Sequence, residues 1–188
     1  MDWEFTWAPY AESEYQIVLG NVHPDNVVIE IGAGDLRLAL RMASICKYVY
    51  AVEINNEIIQ RAIEMHRQRL PGNLEILIGD ARDMQFPSGI DTGILLMRHC
   101  RSYTIYVEKL KASGAKKLIT NVRQRMGVEV VDLMAVQKKF PEIKIGWYGC
   151  ACGGYGFKPG PVELLDESIE LSTCEVSECP RCNQNLDI

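Results

Sequence analysis

Two spacings of apolar residues take turns along most of the chain. Val27-Val28-Ile29 with Ile31, then Tyr48-Val49-Tyr50-Ala51-Val52, then Leu74, Ile76, Leu77 and Ile78 form short runs rich in β-branched and aromatic residues, the pattern of buried strands. Between them the spacing changes to that of a helix. Leu36, Leu38, Ala39, Leu40, Met42 and Ala43 form one apolar stripe, and Ile58, Ile59, Ala62, Ile63 and Met65 form another, opposite Arg61, Arg67 and Arg69. Pro71-Gly72-Asn73 stops that second helix, predicted over 55–70. The same reading predicts a helix over 11–19, strands over 91–97, 116–122 and 143–148, and helices over 102–112 and 129–140. Strands alternating with helices predict an α/β fold: a doubly wound, mostly parallel sheet with helices on both faces. Residues 1–148 would form this domain and residues 149–188 a short cysteine-rich C-terminal appendage.

Length and composition narrow this picture. The chain has 188 residues, 47% hydrophobic and 24% charged, enough to bury a full core. The N-terminus lacks a basic segment followed by an apolar run, and no apolar stretch approaches the ~18 residues of a membrane span, so a cytoplasmic protein without a membrane partner is expected. Trp3, Trp7, Tyr10 and Tyr15 make the N-terminus aromatic, suited to packing or to covering a ligand.

Candidate chemistry begins where the first strand ends. Glu30 is followed by Ile31, and then by a turn, Gly32-Ala33-Gly34-Asp35, whose glycines let backbone approach a ligand closely. A dinucleotide fingerprint needs a third glycine three residues after the second, and Arg37 stands there, which argues against a nicotinamide cofactor. The second and third strands also run into acids, Glu53 and Asp80. Each acid alone could be a helix cap; three at successive strand ends are a pattern.

That pattern, acid-x-Gly-x-Gly at residues 30–34 with Glu53 and Asp80 after it, resembles the class I S-adenosylmethionine (SAM) dependent methyltransferases over roughly residues 26–148. The resemblance implies a Rossmann-like fold and methyl transfer from SAM. It implies cofactor contacts from Glu30, Gly32, Ala33, Gly34 and Asp35, from Glu53 and Ile54 at the ribose, and from Asp80 and Ala81 at the adenine. The chain departs from the family at Leu36, where many members carry a further glycine. It also lacks the Asn/Asp-Pro-Pro-aromatic motif of enzymes that methylate exocyclic base amines, having Met97-Arg98-His99-Cys100-Arg101 after the fourth strand. His99 is a candidate general base there, Cys100 a candidate nucleophile, and packing at the turn is the plain alternative for both.

Charge adds a partner class. The chain carries a net −5 with a pI near 5.3, which weighs against nucleic acid. Yet residues 98–125 hold eight basic side chains against Glu108, a local balance of +7. Arg98, Arg101, Arg123 and Arg125 follow the fourth and fifth strands, so an anionic substrate, RNA or a phosphorylated small molecule, is expected; a solvated face balanced by the acidic tail is the alternative.

Seven cysteines in a chain without an export signal argue against a disulfide framework. Cys150-x-Cys152 and Cys179-x-x-Cys182 offer four thiolates for a structural, tetrahedral zinc, while Cys174 could replace one of them or join an iron–sulfur cluster. An extended strand over 162–173 would hold the two pairs apart; a turn at residues 166–168 would bring them together. A catalytically silent, zinc-binding scaffold of the same fold is the alternative to an enzyme.

Overall fold

The computed structural model describes residues 9–66, 70–98, 100–123 and 127–182. His99, Arg125, Trp3 and Trp7 lie outside the described residues. The elements are α1 (Glu12–Gly20), β1 (Val27–Ile31), α2 (Arg37–Ala43), β2 (Tyr48–Glu53), α3 (Asn56–His66), β3 (Leu74–Ile78), β4 (Thr92–Leu95), α4 (Tyr103–Ser113), β5 (Lys117–Thr120), β6 (Glu129–Asp132), β7 (Gly146–Cys150), β8 (Tyr155–Lys158), α5 (Glu167–Leu171) and β9 (Thr173–Val176).

Six strands form one sheet in the order β3-β2-β1-β4-β5-β6. The first five are parallel, and β6 closes the edge antiparallel to β5. The pleat sorts β1 by face. Val28 packs with Leu38, Met42 and Ile59 under the helices α1, α2 and α3, while Ile29 and Ile31 pack with Tyr106, Val107 and Leu110 of α4. Alternation puts Glu30 on the α2 side, at the level where the strand runs out.

Residues 129–140 are not a helix. Val131 and Leu133 are buried while Met134 and Val136 are exposed, a period of two that fits β6 pairing with β5. The expected strand over 143–148 does not join the main sheet either. It appears as β7, starting at Gly146, and pairs antiparallel with β8 and parallel with β9 in a second sheet of order β8-β7-β9. This small sheet therefore begins inside the range assigned to the core from sequence. Residues 162–173 are broken by a 3-10 turn and by α5, whose N-cap Asp166 accepts from the Ser168 N–H. The reversal sends β9 alongside β7 in parallel, and the two cysteine pairs meet at one end.

Arg123 joins the two sheets. Its side chain is 1% exposed and forms forked hydrogen bonds to Glu129 of β6 and to Glu175 of β9, at 2.7–3.0 Å. Burial works against its charge, but the Glu175 and Glu129 carboxylates hold it firmly protonated. Gly149 of β7 lies against the guanidinium, where a Cβ would come within 2.5 Å of Nη1, so no larger residue fits.

Candidate cofactor and metal sites

The turn after β1 is built by three left-handed residues. Gly32, Gly34 and Leu36 have φ of +81°, +54° and +66°. Leucine in that conformation costs roughly 1–2 kcal/mol. Leu36 is fully buried, and burial of a leucine side chain is worth roughly 1.5–3 kcal/mol, so packing outweighs strain and a glycine is not required there. Gly32 is favoured, because the left-handed backbone strains any other residue and a Cβ there would also crowd the Met97 methyl at 3.1 Å. The Gly32 and Ala33 N–H groups both donate to the Val52 carbonyl, at 2.8 and 2.9 Å, folding the turn back onto β2.

This turn forms one wall of a cavity of about 280 Å³ whose other walls include Tyr10, Tyr15, Met97 and Arg98. Tyr10 roofs it. The Tyr10 hydroxyl accepts from the Arg98 N–H at 3.1 Å, and the Arg98 guanidinium lies over the Tyr10 ring at 4.1 Å. The role of Tyr10 was legible in the sequence only as an aromatic N-terminus.

Glu30 projects into this cavity. It is 5% exposed, and its Oε2 has no hydrogen-bond partner. Burial pushes its carboxyl well above the ordinary range, the Asp35 and Glu53 charges push it further, and the Ala39 N–H offsets this only in part. A buried, unpartnered carboxyl oxygen is costly, and a cationic ligand group is the partner that would relieve it. Burial alone would raise the Asp35 carboxyl too, but hydrogen bonds from Arg37 hold it below its ordinary value.

The other two acids are arranged differently. Glu53 is 1% exposed, and its two oxygens accept from the N–H groups of Gly34 and Asn55, each at 2.9 Å. These two bonds shape the glycine turn. Asp80 accepts from the Arg82 N–H and is forked onto the Arg82 guanidinium, which holds its carboxyl below the ordinary value. Glu53, Ile54, Asp80 and Ala81 stand at neighbouring strand ends, outside the wall of the cavity. Ile54 is 58% exposed, an apolar side chain left in solvent beside two acids.

The basic segment is not one surface. Arg123 is the buried strut described above, which corrects its assignment to the substrate. Lys117 donates to the Asn21 carbonyl, and Lys109 donates to the Arg82 carbonyl beside the Phe86 ring. Arg98 and Arg101 remain beyond β4, on either side of the turn that carries Cys100. Burial pushes the Cys100 thiol up, the opposite of what a nucleophile needs.

Cys150, Cys152, Cys179 and Cys182 converge, with all four Sγ atoms within 4.8 Å of one another. The close pairs are 3.6 Å for 150–182, 3.6 Å for 152–179 and 3.8 Å for 179–182. Four sulfurs at about 2.3 Å from a central zinc would be spaced by about 3.8 Å, so the donor set fits a tetrahedral ion. The Gly154 N–H donates to Cys152 Sγ at 3.3 Å, a bond that favours thiolate. Cys174 stays outside the group, with its Sγ directed at the Glu175 carbonyl at 3.9 Å, which removes it as an alternate ligand and takes the iron–sulfur spacing with it.

Comparison with known proteins places relatives beside this fold. Residues 29–110 match the model of a methyltransferase domain. A probable cobalt-precorrin-6B C(15)-methyltransferase (decarboxylating) of Methanococcus vannielii is 23% identical over 115 residues, which cover 61% of this chain and 63% of that protein. A probable ribosomal RNA small subunit methyltransferase A of Methanosarcina barkeri is 35% identical over 71 residues, or 38% of this chain and 24% of the relative. Among solved structures, precorrin 8W decarboxylase of Methanobacterium thermoautotrophicum superposes with a TM-score of 0.52 at 21% identity, covering 62% of this chain and 65% of the other. The family match covers less than half of the chain, and the solved structure shares its fold. The match to the precorrin methyltransferase leaves more than a third of that protein's length unspanned, and it takes in 61% of this chain.

Proposed function

We propose that this chain is a SAM-dependent methyltransferase whose C-terminal module is held by a structural zinc ion. The observation that carries the first part is the buried, unpartnered Oε2 of Glu30 facing a cavity walled by the glycine turn. SAM supplies a methyl group activated on a positively charged sulfur, and its amino group gives Glu30 the cation it lacks. Residues 30–35 hold the amino-acid end, Glu53 fixes the turn and meets the ribose, and Ile54, Asp80 and Ala81 border the adenine. The protein's own contribution to the reaction is alignment: the acceptor is brought beyond β4 and β5, where open α/β sheets bind ligands, and water is kept out by the Tyr10 roof. His99 is the side chain proposed to take a proton there.

Zinc fits because four cysteines fill a tetrahedral shell and leave no position open for water, so its role is to fold the module. The substrate is proposed to be anionic, RNA or a phosphorylated or carboxylated small molecule, received by Arg98 and Arg101. Relatives named for a cobalt-precorrin and for ribosomal RNA support both kinds. The test is transfer of labelled methyl from SAM into cell extract split into RNA, protein and small-molecule fractions. Label in one fraction, absent with Glu30→Gln, is expected; a fully folded, SAM-binding protein that labels none of them would favour the scaffold reading.

A further inference from the structure

A second cavity, of about 360 Å³, lies where the cysteine module meets the core. Arg101 and Tyr103 come from the segment after β4, and Val122 from the loop after β5; Cys152, Gly153 and Arg181 form the opposite wall. The module is locked in this position by three contacts. The Thr104 hydroxyl donates to the Ala151 carbonyl at 3.1 Å, Gly153 (φ +82°) packs on the Tyr103 ring, and Arg123 reaches Glu175. The seam is therefore fixed from both sides.

Its wall carries two arginines beside the Cys152 sulfur. Arg37, Arg41, Arg82 and Arg123 are each held by a carboxylate, whereas Arg101 and Arg181 enter no ion pair among the described residues. Among the described residues no acid lines the cavity, in a chain whose net charge is −5. The first cavity ends on Met97 and Arg98 and the second begins at Cys100 and Arg101, so the two flank one short turn. The volume lies in the range of about 300–1,000 Å³ usual for small-molecule sites, too small for a length of polymer.

We propose that this seam is the acceptor pocket, and that Arg101 and Arg181 together hold an oxyanion, phosphate or carboxylate, of a small-molecule substrate. The guanidinium fork suits either group. Arg181 lies between two of the metal-binding cysteines, in Cys179-Pro180-Arg181-Cys182, so the metal sets the position of a substrate-binding side chain. The inference rests on the methyltransferase reading of the first cavity and assigns that site its substrate class.

The test uses the full chain with its metal, at low salt, titrated with inorganic pyrophosphate and, separately, with citrate while arginine Nε–Hε resonances are followed by NMR. Either probe should shift the signals lost in Arg101→Ala and Arg181→Ala. Each variant should weaken binding roughly tenfold, as loss of a charge-assisted hydrogen bond does, with SAM affinity and zinc content unchanged. Removing the metal with a chelator should weaken the anion in the same way. Pyrophosphate as the sole effective probe identifies the group as phosphate, and citrate as the sole one identifies carboxylate. The inference is overturned if neither probe moves these signals, if Arg181→Ala binds anion normally and loses only zinc (the arginine then being a counter-ion of the thiolates), or if an RNA oligonucleotide alone engages the two arginines. SAM titration in parallel separates the two levels: anion binding without SAM binding defeats the methyltransferase reading, and SAM binding without anion binding defeats this inference alone.

Discussion

Glu53 Oε2 accepts a hydrogen bond from the Gly34 N–H at 2.9 Å, which ties the end of β2 to the glycine turn after β1. A residue read from sequence as a ribose ligand is thus first a part of the scaffold that shapes the cofactor turn. Glu53→Ala leaves two partly buried N–H groups, of Gly34 and Asn55, without an acceptor and should destabilise the fold by up to about 1–3 kcal/mol for each that stays unpaired. SAM affinity should fall with it. Thermal unfolding and SAM titration of the same sample check this; weakened binding in a protein of unchanged stability would show that Glu53 acts on the ligand alone.

Glu30 gives a pH signature. Its folded pKa is raised above the unfolded value of 4.5, so its contribution to stability is complete below that value and is lost as pH rises through the folded pKa. The ligand-free protein should therefore lose stability as pH climbs from about 4.5, and Glu30→Gln should flatten that decline. A cationic ligand favours the ionised carboxylate, so SAM binding should release a proton and strengthen with pH over the same window. Calorimetry in buffers of different ionisation enthalpy measures the release; observed heats that are the same in every buffer, meaning no proton exchanged, would contradict it.

Arg123 is expected to behave as a strut. Arg123→Ala leaves Glu129 and Glu175 facing each other without a cation, and breaking a buried ion pair in this way costs about 3–5 kcal/mol. Arg123→Lys should rescue poorly, since one ammonium cannot form both forks. Denaturant unfolding gives the magnitude, and limited proteolysis should show cleavage between β6 and β7 as the small sheet comes away. A stable variant with altered substrate affinity would return Arg123 to the binding residues.

Metal content tests the cysteine module. Elemental analysis should find about one zinc per chain, and Cys179→Ser should lose it. Cobalt substitution should give the absorption of a tetrahedral thiolate site, and a chelator should expose residues 150–182 to protease while the main sheet stays folded. Iron with visible absorbance, or no metal in reduced protein, would contradict the assignment.

How far the sequence spoke depended on where each element found its partners. β1, β2 and β3 were legible because each is a dense β-branched or aromatic run ending in an acid. Residues 129–140 misled because Val130, Val131, Leu133, Met134 and Val136 fit a helical stripe as well as a strand; antiparallel pairing of Glu129–Asp132 with β5, extended by the Leu133 N–H donating to the Lys116 carbonyl, decided it. Within the +7 segment Arg123 misled because formal charge ignores partners: it is neutralised by Glu129 and by Glu175, 52 residues away. The cysteine spacing pointed to a site, but only the reversal at Asp166 and α5 made the pairs converge. Arg181 carried no signal in sequence beyond lying inside a knuckle.

The most direct measurement is calorimetric titration of the purified chain with SAM, wild type beside Glu30→Gln. The account predicts saturable binding of about one SAM per chain, weakened roughly tenfold or more in the variant, since a buried charge-assisted contact is worth on the order of 1.5–3 kcal/mol. Absence of binding by folded wild-type protein at millimolar SAM, or equal affinity in the two proteins, would contradict it.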